Sequence, residues 1–204
     1  MTTYALPTVT GLATFNLTPQ TRVATSQSPF SYKRQVLTYP GQRWAVDASI
    51  PMLNRDSADI WRAFFTRLNG GEHTFLLGDP LNSAPKGQGG GNPVRINGAA
   101  SVGASLINVD NATTSQTDWL MAGDYIQIGT GENARLYMVV SDADTNGSGE
   151  ATIQIWPNLQ QAVVDNQSIG INGAVGCFFL NAPPTFETDN NSFTRISFSA
   201  SSVV

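Results

Sequence analysis

One cysteine, Cys177, and one histidine, His73, are all that the 204 residues hold of either type. A single cysteine excludes an internal disulfide and a thiolate metal cage. Its place in the apolar run from Val175 to Leu180 fits a buried structural thiol, because burial disfavours the reactive thiolate. A single histidine excludes a multi-histidine metal site, and no Gly-x-Ser-x-Gly elbow is present for it to serve. Charge is also scarce: 13% of residues carry one, and the net charge is −4. With no basic excess, no global field draws the chain to nucleic acid or anionic lipid. No stretch approaches the ~20 apolar residues that a membrane span requires. The segment Met1 to Pro7 has neither a basic region nor an apolar core of the signal-peptide kind, so synthesis in the cytoplasm and solubility until assembly are expected.

What the chain does have is punctuation. Nineteen glycines and eleven prolines break it at short intervals, and between the breaks lie short runs rich in Val, Ile, Phe, Tyr and Thr. That pattern predicts a mainly β protein. From Phe30 to Pro51 it predicts a long hairpin, with Pro40 and Gly41 at the centre of a type II turn. Trp44, Val46, Ala48 and Ile50 then share one face of the second strand. One segment has helical spacing, residues 55–68, where Ile60, Trp61, Phe64, Phe65 and Leu68 form an apolar stripe. Asn54 is the candidate N-cap and Gly70 with Gly71 the stop. The glycine-rich stretch Gly87 to Gly91 is the strongest composition break and reads as a flexible connector. The expected fold is therefore mainly β with one prominent α-helix. Residues 1–86 and 174–204 make a β-barrel or sandwich base domain with the helix, and residues 87–173 make an inserted small β-barrel or sandwich.

Few motifs carry chemistry. Asp142, Asp144, Asn146 and Gly147 match the first half of an EF-hand loop, which makes the first three a calcium candidate. The second half fails, since Ile153 stands where a bidentate Glu is required, and a polar hairpin loop accounts for the same residues. Lys86 precedes the glycine run, the wrong order for a phosphate cradle. Paired acids alone do not name a glycosidase. No enzyme and no cofactor is expected. Arg34, Arg43 and Arg62, with Trp44 and Trp61, are candidate interface anchors, since Arg and Trp are favoured in that role; core tryptophans and solvated arginines explain them equally well. Trp119, Tyr125, Tyr137 and Trp156 are candidates for gripping a glycan if they face outward.

The order of these motifs resembles a known family. A hairpin ending at Gly41 to Trp44, a strand to Ile50 and Pro51, a helix with Trp61 to Phe65 and Leu68 to Gly70, and Thr74 to Pro80 follow one another as in the distal tail proteins of long-tailed, siphovirus-like bacteriophages. The likeness continues through Val94 to Gly98, Gly103 to Leu106, Ala122 to Ile126, Arg135 to Met138 and Ala151 to Leu159. Its specificity lies in order and spacing, because each motif alone is a turn or packing pattern. The resemblance implies a structural virion protein of the tail tip. Copies would form a ring, typically a hexamer, joining the tail tube protein to the hub and tip proteins, with DNA passing through the lumen and no membrane insertion. It implies no catalytic residues. The other function weighed is a carbohydrate-binding or host-attachment module of the tail.

Overall fold

Trp44, Val46, Ala48 and Ile50 are all buried on one face of a strand in the computed structural model, which describes residues 1–190 and 192–204, residue 92 by its backbone alone. That strand, β3 (Arg34–Leu53), is continuous over twenty residues and is not the return of a hairpin turned at Pro40. Its partner is β2 (Thr14–Gln27), antiparallel to it from Thr14 opposite Ser49 to Gln27 opposite Arg34. The register jumps between the pairs Thr21–Gln42 and Val23–Thr38, so Tyr39, Pro40 and Gly41 bulge opposite Arg22 alone. A bulge tolerates a proline because the ladder is already interrupted where the missing N–H would have bonded. Gly41 lacks the left-handed backbone of a type II turn. It supplies space instead: a Cβ there would lie 3.2 Å from Arg22 Cγ, so the arginine stem crosses the bulge closely.

The first sheet has the order β1 (Thr3–Ala5), β4 (Thr74–Leu77), β11 (Gly176–Leu180), β13 (Thr194–Ser202), β3, β2, and β12 (Thr185–Thr188) pairs the free part of β13. Helix α1 (Arg55–Arg67) covers it. Asn54 Oδ1 accepts from the Ser57 amide at 3.0 Å, closing the first turn as an N-cap should. Ala58, Trp61, Phe64, Phe65 and Leu68 face the sheet, while Ile60, expected in the stripe, is exposed at its edge. Rings interlock across the interface, Phe64 with Phe75 of β4 and Phe65 with Phe198 of β13. Each fully buried aromatic side chain contributes ~2 kcal/mol, so this cluster dominates the stability of the base.

The second sheet has the order β10 (Ile169–Gly170), β7 (Tyr125–Ile128), β8 (Arg135–Val139), β9 (Ala151–Trp156), β6 (Leu106–Ala112), β5 (Gly91–Ile96). The Arg95–Ser168 bridge and the Ile96 amide donating to Gln167 at 2.9 Å bring the two outer strands together, so the six nearly close into a barrel. Its core includes Ile96, Val109, Ile126, Val139 and Ile153. No helix among the described residues is long and apolar enough to cross a membrane.

The chain passes from the first sheet to the second after Leu77 and returns before Gly176. The two crossings touch: a Cβ on Gly78 would stand 2.2 Å from the Ala174 carbonyl oxygen. Trp44 joins the sheets. It is buried in the base, donates its indole N–H to the Leu136 carbonyl of β8 at 2.9 Å, and meets Trp156 edge-on with ring centroids 4.4 Å apart. Gly176 lets β11 approach β8 at Leu136, where a Cβ would fall 2.9 Å from the leucine Cβ. The glycine run is part of the same packing and not a loose connector. Gln88 and Gly89 amides donate to the Asp118 and Trp119 carbonyls at 2.9 and 2.8 Å, and Cβ atoms on Gly87, Gly90 or Gly91 would collide with the opposing chain.

Candidate functional site

Each candidate from the sequence has a definite place. Trp119 and Tyr137 are fully buried. The Trp119 indole donates to the Gly90 carbonyl at 2.9 Å, and the Tyr137 hydroxyl accepts from the Gln160 amide at 3.2 Å. Burial raises the Tyr137 phenol above its ordinary value, against a smaller opposing pull from that hydrogen bond and from Arg135. Tyr125 and Trp156 are half-buried against Trp44, and burial first, Asp79 second, raises the Tyr125 phenol. These four therefore form no outward aromatic platform: two are core, and two seal the joint between sheets. That corrects the glycan-binding assignment, because a sugar needs an accessible ring face.

The calcium candidates are occupied with backbone. Asp142 Oδ1 accepts from the Ala122 amide and Asp144 Oδ1 from the Asp118 amide, both at 2.8 Å. Asn146 Oδ1 accepts from Ser148 and Glu150 amides at 2.8 and 2.9 Å. The two carboxylates thus cap different parts of the neighbouring segment and do not converge, which corrects the EF-hand match to a hairpin loop pinned at its base. Among the described residues no group of three or more His, Cys, Asp or Glu could hold a metal ion. Cys177 is buried, and His73 lies edge-on to Tyr4. Burial holds the Arg135 guanidinium below its ordinary value, with Cys177 and Tyr137 opposing the shift, and Arg135 itself caps the Glu132 and Ala134 carbonyls at 2.8 and 3.2 Å.

The five interface candidates divide. Trp44 and Trp61 are core residues, so they anchor no neighbour. Arg62 is an internal brace: it donates to Asp59 at 3.1 Å and Thr188 at 3.1 Å and lies over the Phe186 ring, tying α1 to the β12–β13 pair. Arg34 is exposed, and Arg43 is half-buried, donating to Gln20 Oε1 at 2.9 Å. Both belong to the β2–β3 ribbon, which holds residues that sequence inspection missed.

Beyond the Pro40 bulge this ribbon leaves the body of the protein. From Arg22 to Pro40 every residue is exposed except the half-buried Ser28. Phe30 is 96% and Tyr32 76% exposed at the tip, and Val23, Val36, Leu37 and Tyr39 are about half exposed along the strands. Directly paired residues share a face. Val23, Thr38, Thr25 and Val36 therefore lie on one side, and Ala24 with Leu37 on the other, so both sides carry apolar surface. The tip is ordered: the Ser28 amide donates to Lys33 at 3.0 Å, Tyr32 to Ser28 at 2.9 Å, and Tyr32 holds a left-handed backbone. Outside the tip β2 is also an edge strand of the sheet. What this arm offers is contact area, an unpaired backbone edge and guanidinium groups. At its root, Gln20, Arg22, Gln42, Arg43 and Val204 line an open cleft of about 440 Å³. No family model matches the chain, and no curated protein matches it significantly.

Proposed function

We propose that this chain is a structural subunit of a phage tail tip, forming a ring that connects the tail tube to the hub and tip proteins. The observation that carries the proposal is the arm. A two-stranded ribbon is marginally stable alone in water, and monomeric proteins rarely expose aromatic and branched residues on both faces of one element. An arm of this form is suited to be covered by another molecule. The remainder supports the same use. Two sheets sharing one joint at Trp44 make a stiff body, and a mainly β base with a helix and a second β unit is the architecture that the resemblance implies. In such a ring, side-to-side contacts are heterologous and close by rotation. Its partners are copies of itself, the tube protein and the hub, with DNA in transit through the lumen.

Light scattering of the purified chain, alone and mixed with tail-tube extract, tests the proposal. Particles several times the monomer mass, or tube-bound protein, are expected. A monomer at every concentration that leaves tubes unbound would contradict it.

A further inference from the structure

We infer that the arm, residues 22–40, docks on a carboxylate-rich surface of a second copy of this chain, an inference that rests on the ring assignment and names the contact within it. Charge selects the occupant. Arg22, Lys33, Arg34 and Arg43 are the charged side chains among the first 46 residues, and Asp47 is the first carboxylate. That leaves seven cations against fifteen carboxylates, a balance of −8, for the rest of the chain. The imbalance is steepest in the second sheet, where residues 91–170 hold eight carboxylates against Arg95 and Arg135; with Asp124 and Arg135 buried, seven carboxylates face one arginine at or near the surface. A basic, apolar arm and an acidic body within one sequence are complementary between copies, which favours association and fixes its direction.

Geometry agrees with an intermolecular target. The arm pairs only within its own ribbon past the bulge, and its residues from Val23 to Tyr39 are exposed apart from the half-buried Ser28 at the tip, so its own body is not the acceptor. Arm to body is a contact between unlike surfaces, the kind that propagates around a ring. Nucleic acid is the weaker occupant. Between the charges the arm presents Val23, Phe30, Val36, Leu37 and Tyr39, which suit a protein surface better than a phosphate track. The ordered tip lowers the conformational cost of docking.

The test places a photo-crosslinking aromatic residue at Phe30, the most exposed large apolar side chain of the arm. Isotopically light and heavy copies are mixed, alone and with tail tubes, and irradiated. Light-to-heavy cross-links are expected, reaching carboxylate-rich peptides. The triple variant Arg22→Glu, Lys33→Glu, Arg34→Glu should reduce them about tenfold, and added salt should weaken them in the parent protein. Far-ultraviolet circular dichroism confirms that the variant is folded. Cross-links confined to single copies, to DNA or to the tube protein would overturn the inference. So would assembly by light scattering without any light-to-heavy product, and in that case the ring assignment stands while the arm contact falls. No assembly of any kind, with or without tubes, removes both.

Discussion

Trp44 is where single-residue chemistry has the widest consequence. Its ring fills the gap between the base core and Trp156, and its N–H satisfies Leu136 in the other sheet. Trp44→Ala is expected to cost about 3–5 kcal/mol, the range for emptying a large aromatic site. Trp44→Phe should cost about 1–2 kcal/mol, mostly for the lost hydrogen bond. Urea denaturation measures both, and an alanine variant as stable as the parent would disprove the joint. Tyr137 sets an alkaline limit. Burial raises its phenol in the folded state, so its contribution is present in full below the unfolded value of about 10 and is lost as pH rises through the folded one. Stability should fall above about pH 10, and Tyr137→Phe should flatten that fall. Denaturation midpoints across this interval decide it. The alternation from Trp44 to Ile50 placed Trp44 on a buried face, but neither its bridge to a second sheet nor the burial of Tyr137 was legible in the sequence. Trp44 was open to a core and an interface reading alike, and Tyr137 to a glycan-facing one, because aromatic residues serve cores and interfaces alike and the opposing sheet that buries them leaves no local pattern.

Among the elements, periodicity foretold those that bury one face. The alternation from Trp44 to Ile50 and the stripe from Trp61 to Leu68 both report a core face, and both elements formed with those residues inward. The failures share a cause. Strand β2 and the outer half of β3 bury almost nothing, so they carry no alternation, and Pro40 with Gly41 then dominated the local signal. A bulge and a turn use the same residue types, and only the pairing of Thr21 with Gln42 tells them apart. The lack of carboxylates before Asp47 was the available sign that this segment differs from the rest. The glycine run misled similarly, since composition cannot separate glycines that confer mobility from glycines that admit a close backbone. Asp124 holds that segment down, accepting from Lys86, Gly87 and Met121 amides at 2.6, 3.2 and 2.8 Å. Asp124→Ala should cost about 1–3 kcal/mol and open residues 79–90 to protease. Limited proteolysis reads this directly, and unchanged resistance would show that the glycine packing alone suffices.

As a whole molecule, the protein is a stiff body with one long appendage. The body is built from two sheets that share Trp44, Trp156, Tyr125 and Leu136 at their joint, and its sequence carries the chain's excess of carboxylates. The arm is basic and apolar. Under the proposed function, the specificity of assembly would reside in the arm and the rigidity of the subunit in the joint. The most direct measurement is cryo-electron microscopy of an intact particle in which this chain is located by its fold. The expected density is a closed ring of copies at the tail tip, each β2–β3 arm lying on the body of its neighbour and the tube on one side. A map placing the chain as an isolated unit, outside the tail axis and with its arm free in solvent, would contradict the proposed function.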